Sequence, residues 1–217
     1  MTDGKAGRRE GGNPLPVLHV VTNDDIARAP ELKVRARVIA QAGPVAMHAR
    51  APGLEGRALL ELARALKAAV AGTDSLLLVN DRVDIARVVA AQGVHLPAAG
   101  LPVAEARSLL GPRALVGRSA HSPEEALKAH AEGADYVFLG PIWETVSHPG
   151  RTALGLRAIG QCAPARVIAI GGITPQRAPL CRAAGAVGVA VISAVWNTGD
   201  PGGVVKEMLL SFQQQSE

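Results

Sequence analysis

Short apolar runs alternate with longer amphipathic segments from one end of the chain to the other. The runs suited to strands cover residues 17–22, 45–49, 76–80, 93–96, 114–119, 135–140, 166–170 and 187–192. Helical patterns follow them over 31–41, 56–71, 83–91, 103–110, 123–131, 156–161, 175–183 and 202–212. In the second of these, Leu59, Leu62, Ala63, Leu66 and Val70 recur at helical spacing, with Arg57, Glu61, Arg64 and Lys67 on the other face. Several strand runs are continuously apolar, as in a parallel sheet covered on both faces. Eight such βα units predict an α/β fold, a single (β/α)8 TIM barrel. An open doubly wound sheet competes, but its Gly-rich fingerprint would follow the first strand. This chain has Thr22-Asn23-Asp24-Asp25 there.

Punctuation supports the count. Ser122-Pro123-Glu124-Glu125 offers an N-cap, a proline at the first helical position and a capping-box Glu. Thr174-Pro175 predicts a similar start for the seventh helix, and Gly133 and Gly185 mark helix stops. Residues 1–13 are polar and Gly-rich, predicting a disordered start before a barrel over 14–217.

Composition narrows the function classes. Aromatics make up only 2% of the residues against 48% apolar, so the core is built from Ala, Val, Leu and Ile. The net charge of +4 comes from scattered Lys and Arg, with neither a basic stripe nor interleaved aromatics, which argues against nucleic acid. Cys162 and Cys181 fit no ligand pattern and suggest a reducing compartment. With no apolar run of about 20 residues, the expectation is a cytoplasmic enzyme without a membrane partner. A homodimer is compatible with the size, although no segment identifies an interface.

In a barrel the chemistry gathers where strands end. Ile170-Gly171-Gly172-Ile173-Thr174 and Ile192-Ser193-Ala194 follow the last two strands, where backbone N–H groups suit a phosphate; a plain tight turn is the alternative. Asn80-Asp81-Arg82 could hold a ring nitrogen or Mg²⁺, or Asp81 could only cap the next helix. His121 could carry protons, or merely precede an N-cap. The long segment 140–150 has the make-up of a lid, with Thr145 and Ser147 alternating and Trp143 either packing or contacting ligand.

Taken in order, Asn80-Asp81-Arg82-Val83-Asp84-Ile85-Ala86, Gly93-Val94-His95-Leu96, Gly117-Arg118-Ser119-Ala120-His121-Ser122, residues 134–142 and Ala169-Ile170-Gly171-Gly172-Ile173-Thr174-Pro175 resemble the thiamine phosphate synthase and thiazole tautomerase superfamily. The resemblance runs from about Leu18 to Leu210. It implies a barrel acting on a phosphorylated thiazole in thiamine biosynthesis. Its synthase branch joins thiazole phosphate to a pyrimidine diphosphate with Mg²⁺; its tautomerase branch aromatises a thiazole carboxylate phosphate by proton transfer without a metal.

Three departures from the synthase pattern bear on the branch. His48-Ala49-Arg50-Ala51-Pro52 stands for Gln-x-Arg-x-Lys, Pro97-Ala98-Ala99-Gly100 lacks an aspartate, and His148 stands for a lysine. The expectation is therefore the tautomerase, an isomerase with no metal and no cofactor. His121 is the expected proton carrier, and His48, Arg50, Asn80, Ser119, Thr145, Ser147, Gly172, Ile192 and Ser193 the expected substrate-binding residues. The alternatives are a Mg²⁺-dependent synthase using Asp81, with His148 and Asp24 or Asp25 as substitute groups, and a non-catalytic thiazole-phosphate binder.

Overall fold

The computed structural model describes residues 14–145 and 152–213. Eight parallel strands, β1 (Leu18–Val21), β2 (Val45–Ala49), β3 (Leu76–Asn80), β4 (Gly93–Leu96), β5 (Leu115–Ala120), β6 (Tyr136–Leu139), β7 (Val167–Ile170) and β8 (Gly188–Val191), form a closed barrel in sequence order. Closure is made by β1 pairing with β8, Leu18 against Val189 and Val20 against Val191. The expected (β/α)8 barrel is the fold.

Strand side chains alternate between two environments. Leu18, Val20, Val45, Met47, Leu77, Val79, Val137, Leu139, Val189 and Val191 face the helices and join one large core. Val21, Ala46, Leu78, Leu115, Tyr136, Phe138, Ile168 and Ala190 form a second cluster. By the same period of two, His19, His48 and His95 belong with that inner set, and each is at most 1% exposed. Small residues make room for the inner rings: a Cβ on Gly117 would lie 2.1 Å from Tyr136 Cζ.

The helices that follow the strands are α1 (Asp24–Arg28), α2 (Leu32–Ala42), α3 (Gly56–Val70), α4 (Val83–Val88), α5 (Val103–Leu110), α6 (Pro123–Ala131), α7 (Arg157–Gly160), α8 (Ala178–Ala183), α9 (Ser193–Trp196) and α10 (Pro201–Gln213). Two of these, α1 and α9, are additions to the pattern expected from sequence. Asn23 caps α1 by accepting the Ile26 N–H at 2.9 Å, with Asp24 and Asp25 in its first turn. The seventh expected helix begins later than Thr174-Pro175 implies. Thr174 O accepts from both Arg177 N and Ala178 N, so a turn precedes α8. The α6 cap forms as expected at Ser122, which accepts from Glu125 N at 3.2 Å, while the Glu125 carboxylate takes the His121 N–H at 2.7 Å. Asp81 caps nothing: α4 starts after Arg82 without a side-chain cap, and Asp81 itself has φ of 64°.

Candidate active site

Two adjoining hollows open where the strands end. The first, of about 100 Å³, is lined by Arg50, Asn80, His95, Ser119, His121 and Phe138, among others. The second is lined by Thr145, Gly172, Ile173, Val191, Ser193 and Ala194, among others. They share Ile170, Gly171 and Ile192 as a common wall. The expected site residues thus divide: Arg50, Asn80, Ser119, His121 and Ile192 line the first, and Thr145, Gly172, Ile192 and Ser193 the second. Ser147 and His148 lie outside the described residues, as do residues 1–13.

His48 departs from expectation. It is wholly buried beneath the cleft, with Nδ1 3.2 Å from Asn80 Oδ1 and Nε2 2.9 Å from His19 Nδ1, so it contacts the site through Asn80. The cause is register: His48, one residue before the end of β2, lies on its inward face, paired with Val21. Burial lowers its pKa to about 4, partly offset by the Asn80 hydrogen bond. His19 and His95 are also held well below the usual imidazole value, first by burial and then by the repulsion a protonated His48 would add, with a hydrogen bond to the Pro16 backbone offsetting part of this for His19.

Arg50 is fixed by its backbone. Thr22 Oγ1 donates to Arg50 O at 2.8 Å and accepts the Arg50 N–H at 2.9 Å, clamping the end of β2 against β1. Burial lowers the guanidinium pKa, and the nearby Asp24 charge offsets part of that. His121 Nδ1 lies 3.0 Å from the Gly140 carbonyl, which can only accept. The ring proton therefore sits on Nδ1 in the neutral form, leaving the Nε2 lone pair for a ligand. Ser119 Oγ is 2.9 Å from His95 Nε2, and His95 Nδ1 is 3.2 Å from the Tyr136 hydroxyl.

Around the second hollow, Gly171 and Gly172 have φ of 98° and 66°. A Cβ on Gly171 would stand 2.7 Å from Pro141 Cα, so this strand end tolerates no side chain. The Arg177 guanidinium donates to Gly172 O at 2.7 Å and covers the Trp143 ring at 4.8 Å. Trp143 also packs on the core, so it is at least a packing residue. Backbone N–H groups at the start of α9 lack intrahelical acceptors, which suits this end to an anion.

His19, Thr22, His95, Tyr136 and Phe138 were not among the expected site residues. Counting by two along the strands from Val21, Asn80 and Ser119 reaches His19 and, through pairing, His95 and Phe138; this is the signal that could have found them. The cysteines play no part here: both are buried, and burial raises the Cys162 thiol to about 11 and the Cys181 thiol to about 12. Among the described residues no cluster of His, Cys, Asp or Glu is suited to a metal. None of their helices is long and apolar enough to cross a membrane.

A family model described as thiamine monophosphate synthase matches residues 18–195. A thiamine-phosphate synthase of Methanoculleus marisnigri is 42% identical over 187 residues, covering 84% of this chain and 89% of that protein. Another, of Gloeobacter violaceus, is 43% identical over 149 residues; the match covers 67% of this chain but only 44% of that longer protein. The solved structure of a thiamine phosphate pyrophosphorylase from Pyrococcus furiosus superposes with a TM-score of 0.76 at 29% identity, covering 91% of this chain and 96% of that one. These findings overturn the expected tautomerase and with it the isomerase class. The expectation gave three substituted positions more weight than the rest of the barrel, where the likeness to proteins named as synthases is spread over nearly every element. The chain belongs to the thiamine monophosphate synthase family.

Proposed function

We propose that this chain is a transferase, a thiamine-phosphate synthase that joins a thiazole phosphate to a pyrimidine diphosphate and releases diphosphate. The observation that carries this reading is the near full-length similarity to proteins of that name. The shape of the site supports it, because two hollows with one shared wall suit two ligands meeting edge to edge. The thiazole phosphate would lie in the second, its phosphate on the backbone at Gly172 and Ser193 with Thr145 beside it. The pyrimidine diphosphate would occupy the first.

The reaction forms one bond between the two ring systems and breaks one to the diphosphate, so negative charge grows on the departing group. Arg50, a cation held partly out of water, would meet that charge with charge-assisted hydrogen bonds. Asn80 and Ser119 would orient the ring, and His121 Nε2 would accept a hydrogen bond from a ligand N–H or O–H. Holding both ligands in line accounts for much of the acceleration expected of such a site. Mg²⁺ is a poorer fit to the described residues. Asp81 is the single carboxylate at the end of β3, and none lines the first hollow. Mg²⁺ needs near-octahedral oxygen ligation, usually with one or two carboxylates; no step is therefore assigned to it.

The test is to incubate the purified chain with both substrates, with and without chelator, and to follow diphosphate release and thiamine phosphate formation. Product is expected, and Arg50→Met should reduce kcat/KM by about a hundredfold, the scale of one charged transition-state contact. Ligand binding with no product would overturn the transferase and leave a binding protein.

A further inference from the structure

The second hollow has no charged side chain in its lining among the described residues, yet a cation stands behind its wall. Arg177, half-buried and immediately before α8, donates from Nη1 to the Gly172 carbonyl at 2.7 Å and lies over the Trp143 ring at 4.8 Å. Its own backbone is anchored, the Arg177 N–H going to Thr174 O at 3.0 Å. Trp143 is tied to the same turn, its N–H donating to Gly171 O at 3.2 Å. No carboxylate pairs with the Arg177 guanidinium among the described residues.

The bond to Gly172 O fixes more than a carbonyl. The peptide from Gly172 to Ile173 is trans, and in a trans peptide the C=O and the following N–H point in opposite directions from one rigid plane. Arg177 does not line the hollow, so drawing the oxygen toward it sends the Ile173 N–H the other way. Ile173 does line the hollow, is 5% exposed, and its N–H has no acceptor among the described residues. Buried backbone N–H groups are almost always paired, so this one is suited to an acceptor brought by a ligand. The guanidinium also polarises the peptide it holds: a cation on the oxygen makes the N–H at the other end a stronger donor.

We propose that Arg177 is a positioning residue for the phosphate: holding the Gly172 carbonyl away from the second hollow, it aims the Ile173 N–H into it and strengthens that donor for a phosphate oxygen. The inference rests on the phosphate placement proposed above, and its first test needs no turnover.

That test is amide NMR on the full chain with ¹⁵N-labelled isoleucine, titrated with inorganic phosphate, using Ile173→Val to assign the resonance. The Ile173 amide proton is expected to move downfield as phosphate binds. An Ile173 amide left in place would overturn the proposal even if the protein makes thiamine phosphate. Arg177→Met should weaken phosphate about tenfold, the size of one charge-assisted hydrogen bond, and shrink the Ile173 shift at saturation. Arg177→Lys, whose ammonium can also donate to the Gly172 oxygen, should recover most of the affinity. The gap between wild type and Arg177→Met should persist in about 0.5 M salt, where exposed charges are screened within a few ångströms. A gap that closes there would reduce Arg177 to a remote charge and overturn the proposal, as would unaltered affinity. In turnover, Arg177→Met should raise KM for the thiazole phosphate about tenfold and leave KM for the pyrimidine diphosphate in place. An equal rise in both would make Arg177 a general support of the barrel and overturn it. An Ile173 shift in a chain that forms no product would support the positioning role while overturning the transferase.

Discussion

Gly172 carries a φ of 66°, and a Cβ there would come within 2.8 Å of Trp143 Cβ and 3.1 Å of Arg177 Nη1. Gly172→Ala therefore meets both a left-handed backbone and a crowded side-chain wall. It is expected to cost about 1–3 kcal/mol in urea unfolding and to raise KM for the thiazole phosphate more than it lowers kcat. Unchanged KM would remove this turn from the phosphate site. Asn80 and His121 were legible because each stands at a strand end, where barrel chemistry gathers, and Arg50 and Ser119 through the family resemblance. His48 was expected as a ligand contact from the same resemblance, but it is wholly buried on the inward face and meets the cleft only through Asn80. The motif containing His95 was visible, yet a histidine followed by leucine in an apolar run looks like core. Only the pairing of Asn80 with His95 brings it to the cleft.

Among the elements, β5 shows how packing supports the site. Gly117 faces inward, and Tyr136 from β6 occupies the volume a side chain would take. Gly117→Ala would push the ring aside and strain the Tyr136–His95–Ser119 series. The expected cost is about 2–3 kcal/mol of unfolding free energy, the upper range for overpacking, read as a lower urea midpoint at unchanged slope. The outer side of the same strand pair is tied by Asp135, whose Oδ2 accepts from Arg107 Nη2 and Val116 N, each at 2.8 Å. Helices α2, α3, α5, α6 and α10 were legible from their period. The five-residue α1 and four-residue α9 are barely a turn long, too short for a hydrophobic period to emerge. Only capping residues such as Asn23 announce them.

At the level of the whole molecule, the barrel holds three neutral histidines that would titrate near 6.5 once unfolded. Their folded pKa values are lowered, so between pH 6.5 and about 4 the unfolded chain binds more protons and unfolding becomes easier. Stability should be highest above pH 6.5, fall as the pH drops through that window, and level off below the folded values. From His48 alone, moving from pH 6.5 to 5 should remove about 2 kcal/mol. Urea midpoints that do not move over that range would show that the rings take up protons inside the fold. The barrel itself was readable because eight alternations leave few other closed solutions, whereas the reaction branch was not. A handful of substituted loop positions cannot outweigh a pattern distributed over the whole chain.

The cover that Arg177 places over Trp143 bears on how this protein can be observed. The chain has two tryptophans: Trp196, 4% exposed in the core, and Trp143, half-buried beside Gly172 with a guanidinium on its face. An anion settling at Gly172 and Ser193 would compete for that guanidinium and change the light emitted by one indole while the other stays constant. Replacing Trp196 by Phe would leave a single fluorophore at the edge of the second hollow, so that ligand arrival could be timed in a stopped-flow mixer without any added dye.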